Sequence, residues 1–271
     1  MPDTSLSTIA ETLLIEGPDA ITFAQSQFTS DVPALAVGRW QFSAWLDAQG
    51  RVRNLFHLVR PAPDRLLLLL RGGSADAMKS ELARFVFRAK LSMHADSTRV
   101  IGIETALAMH DMCEEQGSTR LGCGDYSLAL SNNHEMDNRW RARQVEGGWP
   151  WLPEALLGTC LPPALSLHRL HAVSLEKGCY PGQEIVARLH YRGGNKRHLC
   201  RVGLSQPVPS GTSLDVGDRG MSIALLDVVT TDRGIEALAL CHSDFAQASA
   251  HLSATHAGQT ITMEWLETWP A

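Results

Sequence analysis

The chain has six cysteines, Cys113, Cys123, Cys160, Cys179, Cys200 and Cys241, but no two of them form a CxxC pair. No metal-finger spacing appears, which excludes zinc ribbons and dithiol redox motifs. Chains built on disulfides are shorter and richer in cysteine, so these read as reduced thiols of a cytosolic protein. A basic excess is also missing: 24 Lys and Arg stand against 29 Asp and Glu, a net charge of −5. That argues against a general nucleic-acid binder, and any anion site must be a local patch. The first residues, MPDTSLSTIAE, lack the basic and apolar regions of a secretory signal. The strongest apolar run, Leu66 to Leu70, is too short to cross a bilayer. The expectation is a cytoplasmic monomer with no membrane partner and no direct nucleic-acid partner.

What is present describes a globular protein. At 271 residues and 44% hydrophobic content, there is material for one large core or two smaller ones. Residues 11–16 predict a strand, and Gly17-Pro18-Asp19 predicts the start of a helix with Pro in its first turn. Ala20, Phe23, Ala24 and Phe28 fall on one helical face. Gln25, Gln27, Thr29 and Asp31 gather at the helix exit, where they could face a pocket. Residues 39–60 predict two strands joined at Asp47-Ala48-Gln49-Gly50. Arg65–Arg71 predicts a strand covered on both faces. Ser74 caps a helix through Arg88 with Met78, Leu82 and Phe85 buried, and a strand follows near 99–104. Residues 105–139 read only as loops and short strands. The alternation from Trp140 predicts a strand with Trp140, Ala142, Gln144 and Glu146 on one side. Beyond Leu199, glycines alternate with short apolar strands, predicting a small β-barrel or sandwich. The fold class is α+β, divided into residues 1–198 and 199–271.

Reactive groups concentrate between Glu176 and His198, EKGCYPGQEIVARLHYRGGNKRH. Pro181 suits the first turn of a helix carrying an Ile185, Val186, Leu189 stripe and a Glu184–Arg188 pair. Cys179 precedes that helix, with Lys177 two residues upstream, an environment that favours thiolate. Gly178 and Gly182 leave backbone open to a ligand or partner. Arg188, Arg192, Lys196, Arg197 and Arg201 make a basic cluster suited to a carboxylate or phosphate. The plain alternative is a helix cap beside a solvated charged hairpin. His168 and His171 lie three apart without a third ligand, so no metal site is assigned.

Lys177-Gly-Cys-Tyr-Pro-Gly-Gln-Glu184, with Val186-Ala-Arg188, Tyr191-Arg-Gly193 and Lys196-Arg197, resembles the signature of the YgfZ family. These are folate-binding proteins related to the aminomethyltransferase, or T-protein, of the glycine cleavage system. Gly17, Asp19, Ala20, Phe23, Gln25, Gln27, Thr29, Asp31, Val32, Leu35 and Gly38 follow the family's N-terminal pattern. The resemblance implies an aminomethyltransferase-like module of interleaved subdomains that holds tetrahydrofolate in a central opening. It also implies a role in iron–sulfur cluster assembly or maintenance, with iron–sulfur clients that include tRNA-modifying enzymes. By the same resemblance the pocket tryptophan falls on Trp140 and the pterin-holding glutamate on Glu146. Cys179 is then the redox or transfer thiol. The other candidate folate contacts are Lys177, Gly178, Tyr180, Gly182, Gln183, Glu184, Arg188 and Arg192.

Three departures stand out. Leu165-Ser166-Leu167 replaces an Asn-Leu pattern, Ala10 falls where some members have a pocket tryptophan, and Asn54 falls where the T-protein has an acting aspartate. Asn54 cannot serve as a carboxylate acid/base, which argues against glycine-cleavage activity. The alternative is a folate-dependent one-carbon transferase or demethylase that relays its proton elsewhere.

Overall fold

The structure is a computed structural model that describes residues 8–115, 117–132, 139–216, 221–246 and 251–269. Its elements in chain order are β1 (Thr12–Glu16), α1 (Ala20–Gln27), β2 (Arg39–Leu46), β3 (Val52–Ala62), β4 (Arg65–Leu70), α2 (Ala75–Leu82), β5 (Ser92–Asp96), β6 (Val100–Glu104), β7 (Met112–Glu115), β8 (Ser118–Gly122), β9 (Ser127–Ser131), α3 (Arg139–Glu146), α4 (Gln183–Arg192), β10 (Arg197–Leu204), β11 (Ser213–Val216), β12 (Met221–Thr231), β13 (Gly234–His242), α5 (Ser243–Ala246), β14 (His251–His256) and β15 (Gln259–Trp269). They build a five-stranded sheet ordered β2-β3-β4-β1-β5, a four-stranded sheet ordered β6-β9-β8-β7, and a closed barrel ordered β10-β13-β12-β11-β14-β15. This is the α+β class with a C-terminal barrel, as the sequence indicates.

The leucine run of β4 is apolar throughout because both faces of the first sheet are covered. Leu66, Leu68 and Leu70 join Phe23 of α1, Phe28 just past its end, and Met78 and Leu82 of α2 in one cluster. Leu67 and Leu69 face the other way, into a cluster with Leu128, Leu130, Trp140 and the barrel residues Leu199, Leu226 and Leu240. A third cluster, including Cys200, Val202, Leu225 and Cys241, is confined to the barrel strands, α5 and Val208 of the β10–β11 loop. The barrel therefore has a core of its own and shares a second one with the N-terminal sheets. Between them lies a buried ion pair, Arg141 of α3 with Asp227 of β12.

Several predicted elements differ. Residues 139–146 form a helix, so Trp140 and Glu146 do not share a strand face. The buried set is Trp140, Arg141, Gln144 and Val145, a helical spacing. The alternating arginines imitate a strand period, and one of them, Arg141, is turned inward by Asp227. Helix α2 ends at Leu82, and a 3₁₀ turn carries the chain to Phe85. Phe85 is exposed rather than buried, because the chain there leaves the sheet surface to run past Gly17 into β5. Pro18 and Pro181 sit just ahead of α1 and α4, outside their first turns. Residues 105–132 hold three strands, β7 to β9, and residues 133–138 of the uncertain stretch lie outside the described residues. Among the described residues, no helix is long and apolar enough to cross a membrane.

Candidate functional site

The segment from Ser174 to Gly182 is pinned at both ends. At its start, Ser174 N–H donates to the Thr29 carbonyl at 2.8 Å, and the Thr29 hydroxyl donates to the Ala172 carbonyl at 2.6 Å. Lys177 then reaches under the exit of α1. Its ammonium donates to the carbonyls of Gln25 at 2.6 Å, Phe28 at 2.5 Å and Ser30 at 3.0 Å. The final carbonyls of a helix have no partners within it, and its C-terminal end is the negative end of its dipole. A buried cation satisfies both. Burial pushes the Lys177 amine down to about 8, and Asp31 pulls it back up. The same Lys177 Nζ lies 5.3 Å from the centre of the Tyr180 ring, and burial pushes the Tyr180 phenol up to about 12. The polar exit of α1 is therefore a socket for Lys177: Gln25 Oε1 accepts from Val32 N–H at 2.9 Å, and its amide donates to Asp31 at 3.2 Å.

At the other end, Gly182 is the N-cap of α4 with φ +78°, a region open to glycine without strain. A methyl group there would fall 2.5 Å from the Asp47 carbonyl oxygen and 2.7 Å from Gly50 Cα. The missing side chain is used by the β2–β3 turn, which leans directly on the helix start. That turn is tied by Asp47, whose carboxylate accepts from Gln49 N–H at 2.9 Å and Arg51 N–H at 2.8 Å. Gly178 is different: nothing lies within 4 Å of where its side chain would be.

Between the two anchors, Cys179 is exposed. Cys123, Cys160, Cys200 and Cys241 are buried and Cys113 is half-buried. The other predicted residues of this stretch divide as follows. Gln183 donates to the Lys177 carbonyl at 3.5 Å, bracing the loop. Glu184, Arg188 and Arg192 are exposed on α4, and Glu184 and Arg188 make no ion pair within the described structure, where water competes for both. Arg201 is not part of an exposed basic face. It stands 3.8 Å from Glu236, 3.9 Å from Glu267 and 4.0 Å from Glu146.

Trp140 and Glu146 lie apart. Trp140 is fully buried against Trp151, with ring centres 5.0 Å apart, and its indole N–H has no acceptor among the described residues. Glu146, at the end of α3, is exposed and accepts from Arg233 at 3.1 Å. It lines a cavity of about 390 Å³ with Arg139, Arg143, Thr231, Asp232 and Arg233. A second cavity, of about 240 Å³, holds Asn54, Trp45, Arg53, Ser74, Glu81 and Leu157. Asn54 is only 7% exposed there, and the nearby carboxylate of Glu81 is paired with Arg53. Neither cavity is lined by Trp140 or Cys179.

The sequence reading missed a buried network at the heart of the shared core. Arg71 donates to the carbonyls of Pro150 at 2.8 Å and Trp149 at 2.7 Å, and to Gln144 Oε1 at 2.7 Å; Gln144 in turn donates to the Tyr126 hydroxyl at 2.6 Å. Burial pushes Arg71 down to about 10, so it stays charged at neutral pH. His57, 3.4 Å away, is held neutral by burial and by the Arg71 charge. This network fixes the end of α3 and so the position of Glu146. The signal was the arginine closing an apolar strand, which a flank of solvated charge equally explains. Among the described residues no group of three or more His, Cys, Asp or Glu side chains could hold a metal.

Comparison with known proteins places this arrangement. No family model matches the chain. The tRNA-modifying protein YgfZ of Edwardsiella ictaluri is 30% identical over 270 residues, covering 85% of this chain and 81% of that protein. Its namesake in Pectobacterium carotovorum is 31% identical over 235 residues, covering 74% and 70%. Among solved structures, the glycine cleavage system aminomethyltransferase T of Bartonella henselae superimposes with a TM-score of 0.68 over 96% of this chain and 83% of that one. At 16% identity that likeness speaks to the fold alone. The two YgfZ relatives, matched over most of their length, decide the assignment: the chain belongs to the YgfZ family.

Proposed function

We propose that this protein is a tetrahydrofolate-binding accessory factor for iron–sulfur enzymes, including enzymes that modify tRNA, and that Cys179 is the thiol acting on its partner. The observation that carries the reading is the presentation of Cys179. A single exposed cysteine among the described ones sits on a loop held by Lys177 on one side and by the Gly182–Gly50 contact on the other. Such a loop offers its thiol without the entropy cost of ordering a mobile segment. The names of the YgfZ relatives link the family to tRNA modification.

Folate suits the cavity at Glu146. Its volume of about 390 Å³ lies in the range of small-molecule sites. A carboxylate can accept two parallel N–H bonds from a pterin's 2-amino and ring N–H edge, and guanidiniums pair with the carboxylates of a glutamyl tail. Glu146 supplies the first; Arg139, Arg143 and Arg233 supply the second. Arg233 already donates to Glu146 from an exposed hairpin, so the pterin must displace or share that bond. In this reading the pterin lies away from Trp140, which anchors the buried face of α3 against Trp151.

The test is calorimetric titration with tetrahydrofolate. Loss of a charge-assisted pair costs binding about tenfold or more, so Glu146→Ala weakens the complex by that factor while Trp140→Phe leaves it within about threefold. An unchanged affinity in Glu146→Ala removes the site. The one-carbon transferase reading loses ground at Asn54, whose amide cannot take a proton and whose neighbouring carboxylate, Glu81, is engaged by Arg53. A flat assay for methylene-tetrahydrofolate formation from methylated amines closes that reading.

A further inference from the structure

The segment 83–91, ARFVFRAKL, which runs from the end of α2 to β5, serves neither the folate cavity nor Cys179. Phe87 is 86% exposed and Phe85 45% exposed, the former more open than any other large apolar side chain described. Val86, between them, packs against the core with Leu91, while both rings, two residues apart in the chain, stay exposed. Arg84, Arg88 and Lys90 are exposed around them, and none makes an ion pair within the described residues; the Asp19 carboxylate beside them accepts from the Lys90 backbone N–H. Glu81 is taken by Arg53, and Glu16 by Arg65.

The segment is held in place by its backbone. Lys90 N–H donates to the Asp19 carboxylate at 2.7 Å, and the Lys90 carbonyl accepts from Asp19 N–H at 3.4 Å. Gly17, with φ +135°, has no side chain because one would fall 2.4 Å from that carbonyl. The start of α1 thus clamps the strip, leaving its rings and cations outward.

We infer that this strip binds single-stranded nucleic acid, stacking two bases on Phe85 and Phe87 and taking phosphates on Arg84, Arg88 and Lys90. Flat rings interleaved with unpaired cations are the elements that a single strand requires: every base has a face to stack, and each nucleotide carries a phosphate. Size decides against a protein partner as the main occupant. Taking about 200 Å² for a phenylalanine side chain, the two rings expose roughly 250 Å², against the roughly 800 Å² per partner of a standard protein interface. The net charge of −5 does not register a patch confined to one strip, because screening limits the reach of distant charges to about 10 Å.

The experiment is fluorescence anisotropy of the full chain with a labelled mixed-sequence RNA strand of about 12 nucleotides, alongside a DNA strand of the same sequence, the matching duplex, and vesicles of phosphatidylcholine with phosphatidylserine. The strands bind more tightly than the duplex, and any preference between RNA and DNA names the polymer while upholding the site. Phe87→Ala weakens strand binding about tenfold, and Phe87→Trp retains it. Arg88→Ala lowers the slope of log affinity against log salt by about 0.7. Phe87 is exposed, so far-ultraviolet dichroism and melting of both variants match the parent. No strand binding at about 100 μM protein and about 50 mM salt overturns the inference. So does binding indifferent to Phe87→Ala, or binding to the vesicles without the strands. The outcome is independent of folate binding, which none of these residues serves.

Discussion

Two glycines of one motif, Gly178 and Gly182, give opposite predictions. Gly182→Ala places a methyl group 2.5 Å from the Asp47 carbonyl and 2.7 Å from Gly50 Cα, both backbone, at φ +78°. The left-handed conformation alone costs a non-glycine residue about 1–2 kcal/mol. Neither backbone can swing aside as a long side chain does, so the turn and α4 must separate, adding about 1–3 kcal/mol of overpacking strain. The sum is about 2–5 kcal/mol, which in a chain of this size lowers Tm by about 4–20 °C. Gly178→Ala meets nothing within 4 Å and stays within about 0.5 kcal/mol of the parent. Urea unfolding followed by far-ultraviolet dichroism measures both, and the slope m shows whether the denatured state is altered. Equal stabilities for the two variants would refute the claim that Gly182 exists to admit the β2–β3 turn. A large loss at Gly178 would show that the loop is packed rather than open.

Lys177→Met keeps the stem but strips the cap from three carbonyls at the end of α1; with each buried acceptor costing about 1–3 kcal/mol when unsatisfied, a loss of about 3 kcal/mol or more is expected by the same unfolding measurement, and a neutral result would mean that water replaces the ammonium. His57 is buried neutral, its pKa well below 6.5. The unfolded chain therefore binds a proton that the folded one does not, so this stability is complete above pH 6.5 and falls below it by up to about 1.4 kcal/mol per pH unit. His110 and His168 act in the same direction. His57→Phe flattens the acid limb of stability against pH; an unchanged limb assigns it to other groups.

The motif from Lys177 to Glu184 was legible because each of its residue types does something local: a thiol, two glycines, a proline before a helix. Its partners were not. Nothing in KGCYPGQE announces that Lys177 reaches back to residues 25–30, or that Gly182 is bare for the sake of Asp47 and Gly50. The fold class, the leucine strand and the barrel followed from periodicity, which depends on burial alone. Helix α3 failed the same test because Arg141 is buried by a partner 86 residues away in the chain, and a period read from hydrophobicity counts an arginine as outward. The same long-range pairing hid the Arg71–Gln144–Tyr126 network. Phe85 is the reverse case: helical spacing turns it inward, but α2 has already ended at Leu82.

The central claim is that Cys179, offered on a clamped loop, is the acting thiol of a protein that supports tRNA-modifying iron–sulfur enzymes. It is tested most directly by the level of an iron–sulfur-dependent tRNA modification in cells lacking their own copy, supplied with the parent chain, Cys179→Ser or Cys113→Ser. The account predicts full restoration by the parent and by Cys113→Ser, and a level near the unsupplied cells with Cys179→Ser. Full restoration by Cys179→Ser, expressed at the parent's abundance, would contradict it.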